Sequence, residues 1–263
     1  MALLETRGLT KTFGSVTAAA NINVDVHEHE VVGIIGANGA GKTTFVNMVT
    51  GYQKPSQGSI WFNGEDITRH GPRDITRKGI CRSFQVPQVF MSVSLFDNLL
   101  VGLGVAAQRR PSFWRALRQP ALVAAAEQIV ARYQLGQYRD QPVALLPQGV
   151  RKLLDIAMAM AHKPRIILLD EPTSGVSVEE KFGIMDTVMG ALKETGVTVL
   201  FIEHDMEIIE RYGSRVIAFA EGTILADGPP KEVLADPQVR RYVIGEELHR
   251  SAAAPSGGGS GHA

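Results

Sequence analysis

Apolar and polar positions along the chain alternate between strand and helix periods. Residues 3–9, 22–26 and 58–63 read as short strands, and Asn63-Gly64 is a turn signal. Residues 31–35 form a continuous apolar run that ends in glycine, the pattern of a parallel strand buried on both faces. A helix is predicted over 43–49, so the order here is strand, glycine loop, helix. From about 92 to 163 the chain is helix-rich and punctuated by Pro111, Pro120 and Pro142, with helices predicted at 121–133 and 151–162. The apolar face of the second (Leu153, Leu154, Ile156, Ala157, Met160) is ordinary helix packing. Beyond Lys163 the pattern becomes strand 166–169, helix 178–194 and strand 197–202, then a hairpin of 215–220 and 223–227 about Glu221-Gly222. Such alternation predicts an α/β fold with a mainly parallel core sheet flanked by helices. Residues 248–263 lack apolar periodicity and read as a disordered tail.

Composition adds limits. The chain has 263 residues, 44% hydrophobic and 21% charged, enough for a sizeable core. Lys plus Arg number 27 and so do Asp plus Glu, a balance that argues against nucleic acid as a partner. The single cysteine, Cys81, cannot form an internal disulfide and reads as a small packed residue. His27 and His29 lack a third ligand and are not read as a metal site. The N-terminal residues do not have the pattern of a signal peptide, and no apolar run approaches membrane-spanning length.

The chemistry concentrates in two segments. Gly36-Ala37-Asn38-Gly39-Ala40-Gly41-Lys42-Thr43, followed by Thr44, fits the phosphate loop G-x-x-x-x-G-K-[ST]. Its glycines let the backbone wrap phosphate with N–H groups pointing inward, and the helix that follows adds its positive end. Lys42 is placed to reach the β- and γ-phosphates, and Thr43 to offer a hydroxyl to Mg²⁺. The second segment, residues 166–171, is a buried strand that delivers Asp170 and Glu171 at its C-terminal end, where ligands sit in open α/β sheets. Asp170 is expected to help hold Mg²⁺, mostly through water, and Glu171 to polarise the attacking water. Guanine readers carry an Asn-Lys-x-Asp segment; the absence of any Asn-Lys pair favours ATP.

Lys42 and Asp170 are separated by a long helical block, and here the chain resembles the ATP-binding subunits of ABC transporters, from about residue 3 to 247. The resemblance implies further roles. Phe13 in LTKTFGSV stacks on adenine. Gln85 in CRSFQ contacts Mg²⁺ and water and faces the membrane partner. His204 in FIEHDM contacts the γ-phosphate. It also implies a phosphate-loop NTPase fold with an antiparallel β-subdomain and an inserted helical subdomain at about 92–163. ATP would be sandwiched in a head-to-tail dimer, and residues 86–97 would pass its motion to membrane subunits.

The segments FQVPQVFMSVSLFDNLLVG, EHDM and DPQVRRYVIGEE look like those of ATPases serving branched-chain and hydrophobic amino-acid uptake. Those systems imply a second ATPase subunit, two membrane permeases and a periplasmic solute-binding protein, with this chain cytoplasmic on the inner face of a bacterial plasma membrane. Relatives carry urea, amides or aromatic acids. ABC ATPases of translation or DNA repair have two tandem domains or zinc or coiled-coil insertions; one phosphate loop and one cysteine count against that reading. The sequence departs from the family where Leu-Ser-Gly-Gly-Gln falls on Leu146-Pro147-Gln148-Gly149-Val150. Pro147, Gln148 and Gly149 would act on the partner's ATP, and Pro147 offers neither hydroxyl nor N–H. The loop after Glu171 ends in Ser177 where the family has Asp or Asn.

Overall fold

A computed structural model of the chain describes residues 2–107 and 118–244. The tail expected at 248–263 lies outside the described residues, as does Pro111. Among the described residues ten strands form two sheets. The first is antiparallel and runs in the order β2 (Val16–Val26), β1 (Leu4–Phe13), β4 (Gln57–Phe62), β5 (Glu65–Asp66). The second has the order β10 (Thr223–Gly228), β9 (Arg215–Ala220), β3 (Val31–Gly36), β8 (Thr198–Ile202), β7 (Ile166–Asp170), β6 (Ile80–Ser83). From β9 to β6 every neighbouring pair is parallel; only β10 runs antiparallel, at the edge.

The continuous apolar runs of β7 and β8 have a direct cause. Ile167, Leu169, Val199 and Phe201 face one core, and Ile166, Leu168, Leu200 and Ile202 face the other. A strand covered on both faces has no solvent side to alternate toward. On one face lie α1 (Lys42–Val49) and the antiparallel sheet. Phe45 of α1 meets Phe219 of β9 with ring centroids 5.5 Å apart. Burying such a side chain stabilises by about 1.5–3 kcal/mol, which fixes the helix that carries Lys42 to the sheet. On the other face pack α3 (Leu95–Ala107), α4 (Pro120–Arg132), α5 (Gln148–Met160) and α6 (Val178–Thr195). Between the sheets α2 (Pro72–Lys78) leads into β6.

Several bounds differ from the sequence reading. β1 runs four residues past 9 and β2 begins six before 22, forming one long hairpin. Irregular register near Gly8 and Asn21, both at positive φ, breaks the period-2 pattern by which a long strand is read. β6 and α2 were not expected: β6 has only four residues, one of them Arg82, too few to show a period. The helix expected at 151–162 starts three residues earlier, at Gln148, with Pro147 as its N-cap. Asn63-Gly64 does turn the chain, with φ of 51° and 76°, the left-handed pair that suits a tight hairpin. Cys81 is buried in β6, which pushes its thiol pKa up to about 12, so it is inert to ordinary thiol chemistry.

Candidate functional site

Parallel strands end together. The C-terminal ends of β3, β6, β7 and β8 therefore share one edge of the sheet, and each is followed by a segment singled out above. β3 leads to the loop 36–43, β6 to Gln85, β7 to Asp170 and Glu171, and β8 to His204.

The loop needs its glycines for space as well as for conformation. A Cβ at Gly36 would lie 2.6 Å from the carbonyl oxygen of Phe219. At Gly41, the N-cap of α1 with φ of 103°, it would lie 2.8 Å from that of Ala18. Lys42 is buried and folds back, its Nζ donating to the carbonyl oxygens of Gly36 at 2.5 Å and Ala37 at 3.0 Å. Burial lowers its pKa, while Glu171 and Asp170 oppose that shift. Residues 38–44, Glu171, Ile202 and His204 line a cavity of about 130 Å³. A glycine-rich loop, a lysine ammonium and a helix start at one cavity are the chemistry that suits a phosphate.

Glu171 is the meeting point. Gln85 Nε2 donates to its Oε2 at 2.7 Å, and His204 Nε2 lies 3.1 Å from its Oε1. Gln85 and His204, far apart in sequence, thus share the Glu171 carboxylate, and both Glu171 and His204 line the cavity. Glu171 adopts a left-handed φ of 49°, a conformation that costs about 1–3 kcal/mol in a non-glycine residue and clusters at functional sites. A carboxylate held between an amide and an imidazole can accept a proton from water and orient it.

Asp170 is nearly buried and paired with the Arg82 guanidinium, which also donates to Asn47 Oδ1 at 2.7 Å. Sequence reading missed Arg82, because the four-residue β6 is too short to show a strand period and the arginine reads as a surface charge. Glu203 was missed too. It is buried, accepts from Thr173 N at 2.8 Å and Thr173 Oγ1 at 2.7 Å, and so anchors the loop after Glu171. Burial raises its pKa, and the two Thr173 hydrogen bonds oppose that. For Mg²⁺ the donor chemistry fits: Thr43 exposes a hydroxyl, Asp170 offers a carboxylate, and Gln85 keeps its carbonyl oxygen. Mg²⁺ takes one or two carboxylates together with phosphate and water rather than a full protein cage. The described residues contain no cluster of three or more His, Cys, Asp or Glu able to hold a metal.

Phe13 lies outside the cavity, at the turn of the β1–β2 hairpin and 48% exposed. It pairs in register with exposed Val16, two residues before Ala18, whose carbonyl abuts Gly41. The pair offers an apolar platform close to the loop. If the platform carries adenine, Phe13→Ala should weaken ATP binding by about 1–3 kcal/mol, roughly 5- to 150-fold. Nucleotide titration reads this directly, and an unchanged Kd would exclude Phe13 from the site.

Pro147 and Gln148 are exposed at the start of α5, away from this cavity. Gln148 Nε2 approaches the carbonyl oxygen of Ser174 at 3.5 Å, so its amide leans on the chain's own loop. Gly149 is buried, and a Cβ there would meet Ile184 Cδ1 of α6 at 2.2 Å. The glycine thus permits close packing of α5 on α6.

A family profile described as ABC transporter matches residues 19–174. The branched-chain amino acid transport ATP-binding protein BraF of Pseudomonas aeruginosa is 34% identical over 257 residues, covering 93% of this chain and 98% of that protein. A probable branched-chain amino acid transport ATP-binding protein of Archaeoglobus fulgidus is 31% identical over 250 residues, covering 94% and 97%. Among solved structures, the ADP conformation of an ATP-binding cassette of an ABC transporter superposes with a TM-score of 0.82 at 31% identity, covering 94% of this chain and 100% of that one. The cbiO1 protein from Clostridium perfringens, described as part of the ABC transporter complex cbiONQ, gives 0.78 at 28% identity, covering 91% and 93%.

Proposed function

The chain belongs to the ABC transporter family as an ATP-binding, ATP-hydrolysing subunit, and we propose that it drives import of branched-chain or related hydrophobic amino acids. The observation that carries the catalytic part is the convergence of Gln85 and His204 on Glu171 beside the Lys42 loop. In this reading Lys42 swings from the loop carbonyls to the β- and γ-phosphates, and the N–H groups of residues 38–44 hold the phosphate oxygens. Glu171 takes up the developing proton of the attacking water, while His204 steadies the γ-phosphate. Thr43, Asp170 and Gln85 would hold Mg²⁺, which when bound would supply charge neutralisation on the phosphates. The substrate class rests on relatives that carry that name along nearly their whole length.

No helix among the described residues is long and apolar enough to cross a membrane, so attachment to the inner face of the plasma membrane is assigned to partner subunits. A groove of about 330 Å³ beside β6, α3 and α5 is lined by Tyr52, Phe84, Phe90, Val105 and Met158. Val86, next to Gln85, is 71% exposed. This apolar surface suits a segment of a permease subunit, and its lining includes Phe84 and Gln88, on either side of Gln85.

The start of α5 would complete the site of a second, different ATPase subunit, with a periplasmic solute-binding protein delivering substrate. Pro147 removes one hydrogen bond to a charged group there, a loss of about 1.5–3 kcal/mol, yet proline suits a helix start and leaves the first-turn N–H groups free. The two composite sites should then be unequal. Co-expression with the two permeases and the second ATPase tests the assignment: the four should co-purify as one complex. Within it Glu171→Gln should stop most hydrolysis, and the equivalent change in the partner should leave a substantial fraction. Equal losses would remove the asymmetry, and failure to co-purify would remove the permease assignment.

A further inference from the structure

Two charged side chains of α5 are almost wholly withdrawn from solvent, and neither lines the nucleotide cavity. Lys152 is 1% exposed and Asp155 6%. An ammonium or carboxylate taken out of water is costly unless it is paired and hydrogen-bonded. What these two bind therefore shows why they are there. Lys152 Nζ donates to the main-chain carbonyl oxygen of Glu171 at 2.8 Å. Asp155 accepts from the main-chain N–H of Phe84 at 3.0 Å with one oxygen and from that of Gln88 at 2.9 Å with the other.

Those two N–H groups bracket Gln85. Lys152 and Asp155 are three positions apart on one helix, hence on one face. A single turn of α5 thus holds both partners of the Gln85–Glu171 contact, Glu171 by its carbonyl and Gln85 by the amides around it. Neither hold occupies the Glu171 carboxylate or the Gln85 amide, since Lys152 meets Glu171 at its main-chain carbonyl and Asp155 takes the N–H groups of Phe84 and Gln88 together with the Ser83 side chain. Burial lowers the Lys152 pKa and raises that of Asp155; Glu203, Glu171, Asp155 and Asp170 oppose the first shift, and the hydrogen bonds to Asp155 together with Lys152 oppose the second.

We propose that Lys152 and Asp155 are positioning residues for ATP hydrolysis, which lock Glu171 and Gln85 to the helix that begins at Pro147–Gly149. The proposal rests on the reading of Glu171 and Gln85 given above. Its consequence is mechanical. α5 starts at the surface assigned to the partner's nucleotide, so a displacement of that helix reaches Glu171 and Gln85 together and keeps them in register. Without the two holds each would settle independently.

The test uses Lys152→Met, Lys152→Arg and Asp155→Asn in the full chain assembled with its partner subunits. Met keeps length and loses the donor. Asn keeps shape but turns an NH₂ toward one of the two N–H groups. Lys152→Met and Asp155→Asn should each lower kcat about tenfold or more, with KM for ATP within about threefold of wild type. Lys152→Arg, which keeps a donor, should recover much of the loss. In Asp155→Asn, amide hydrogen exchange at Phe84 and Gln88 should accelerate about tenfold, while β3 and β8 stay protected. A purely structural role would lower the melting temperature and leave kcat of the folded fraction unchanged. A kcat within about twofold of wild type in Asp155→Asn, or unaltered exchange at Phe84 and Gln88, would overturn the proposal. If Lys152→Met does not fold, Asp155→Asn decides alone. Wild-type turnover in Glu171→Gln would instead sink the underlying catalytic reading, with the exchange result still standing for the hold on Gln85.

Discussion

Glu171→Gln is expected to bind ATP normally and to lose about 100- to 10,000-fold in turnover, the range contributed by a positioned general base. The substitution is nearly isosteric. Its amide oxygen can still accept from Gln85 Nε2, and the main-chain carbonyl still accepts from Lys152. The left-handed backbone at this position is unchanged in its demands. Only the basic oxygen is lost, so ATP should remain trapped and the dimer it closes should persist. Single-turnover phosphate release together with size-exclusion chromatography reads both consequences. Turnover close to wild type would remove Glu171 from the mechanism.

Lys42→Ala acts on binding instead. A charge-assisted contact to phosphate contributes about 1.5–3 kcal/mol, so affinity should fall roughly 10- to 150-fold. Lys42 also ties down the carbonyl oxygens of Gly36 and Ala37. Its removal leaves those groups without that donor, and a small drop in melting temperature should accompany the loss of affinity. Titration with ATP and thermal unfolding, run on one preparation, separate the two effects. Unchanged affinity would mean that the loop is not the nucleotide site.

The parts of the fold that carry chemistry were legible because they sit on the most buried strands. β3, β7 and β8 are continuous apolar runs, and a run of that kind followed by a glycine loop or a carboxylate has few structural meanings. Hence Lys42, Asp170 and Glu171 could be placed at the ends of buried strands before any coordinates, whereas His204, at the end of β8, took its role from resemblance to a family. β6 was not legible. It is short and contains Arg82, yet it is the strand that puts Gln85 within 2.7 Å of Glu171. Gln85 was found through resemblance to a family, and its physical support emerged only from the sheet order. The half-buried Arg82 and the buried Lys152, Asp155 and Glu203 were invisible for a related reason. Each looks like a surface charge in sequence, and only the packing of α5 and β6 against β7 and β8 shows that it is internal. Residue spacing in α5 suggested an apolar face, and it could not show that the polar pair Lys152 and Asp155 faces inward as well.

The most direct test of the whole account is uptake by the reconstituted transporter. The two permeases, the second ATPase subunit, the solute-binding protein and this chain would be placed in liposomes with ATP and Mg²⁺ on the side of the ATPases. Labelled leucine should then accumulate inside only when this chain is present with Glu171 intact, and Glu171→Gln should reduce accumulation in step with ATP hydrolysis. Full leucine uptake with the chain omitted, or with Glu171→Gln in its place, would contradict the assignment.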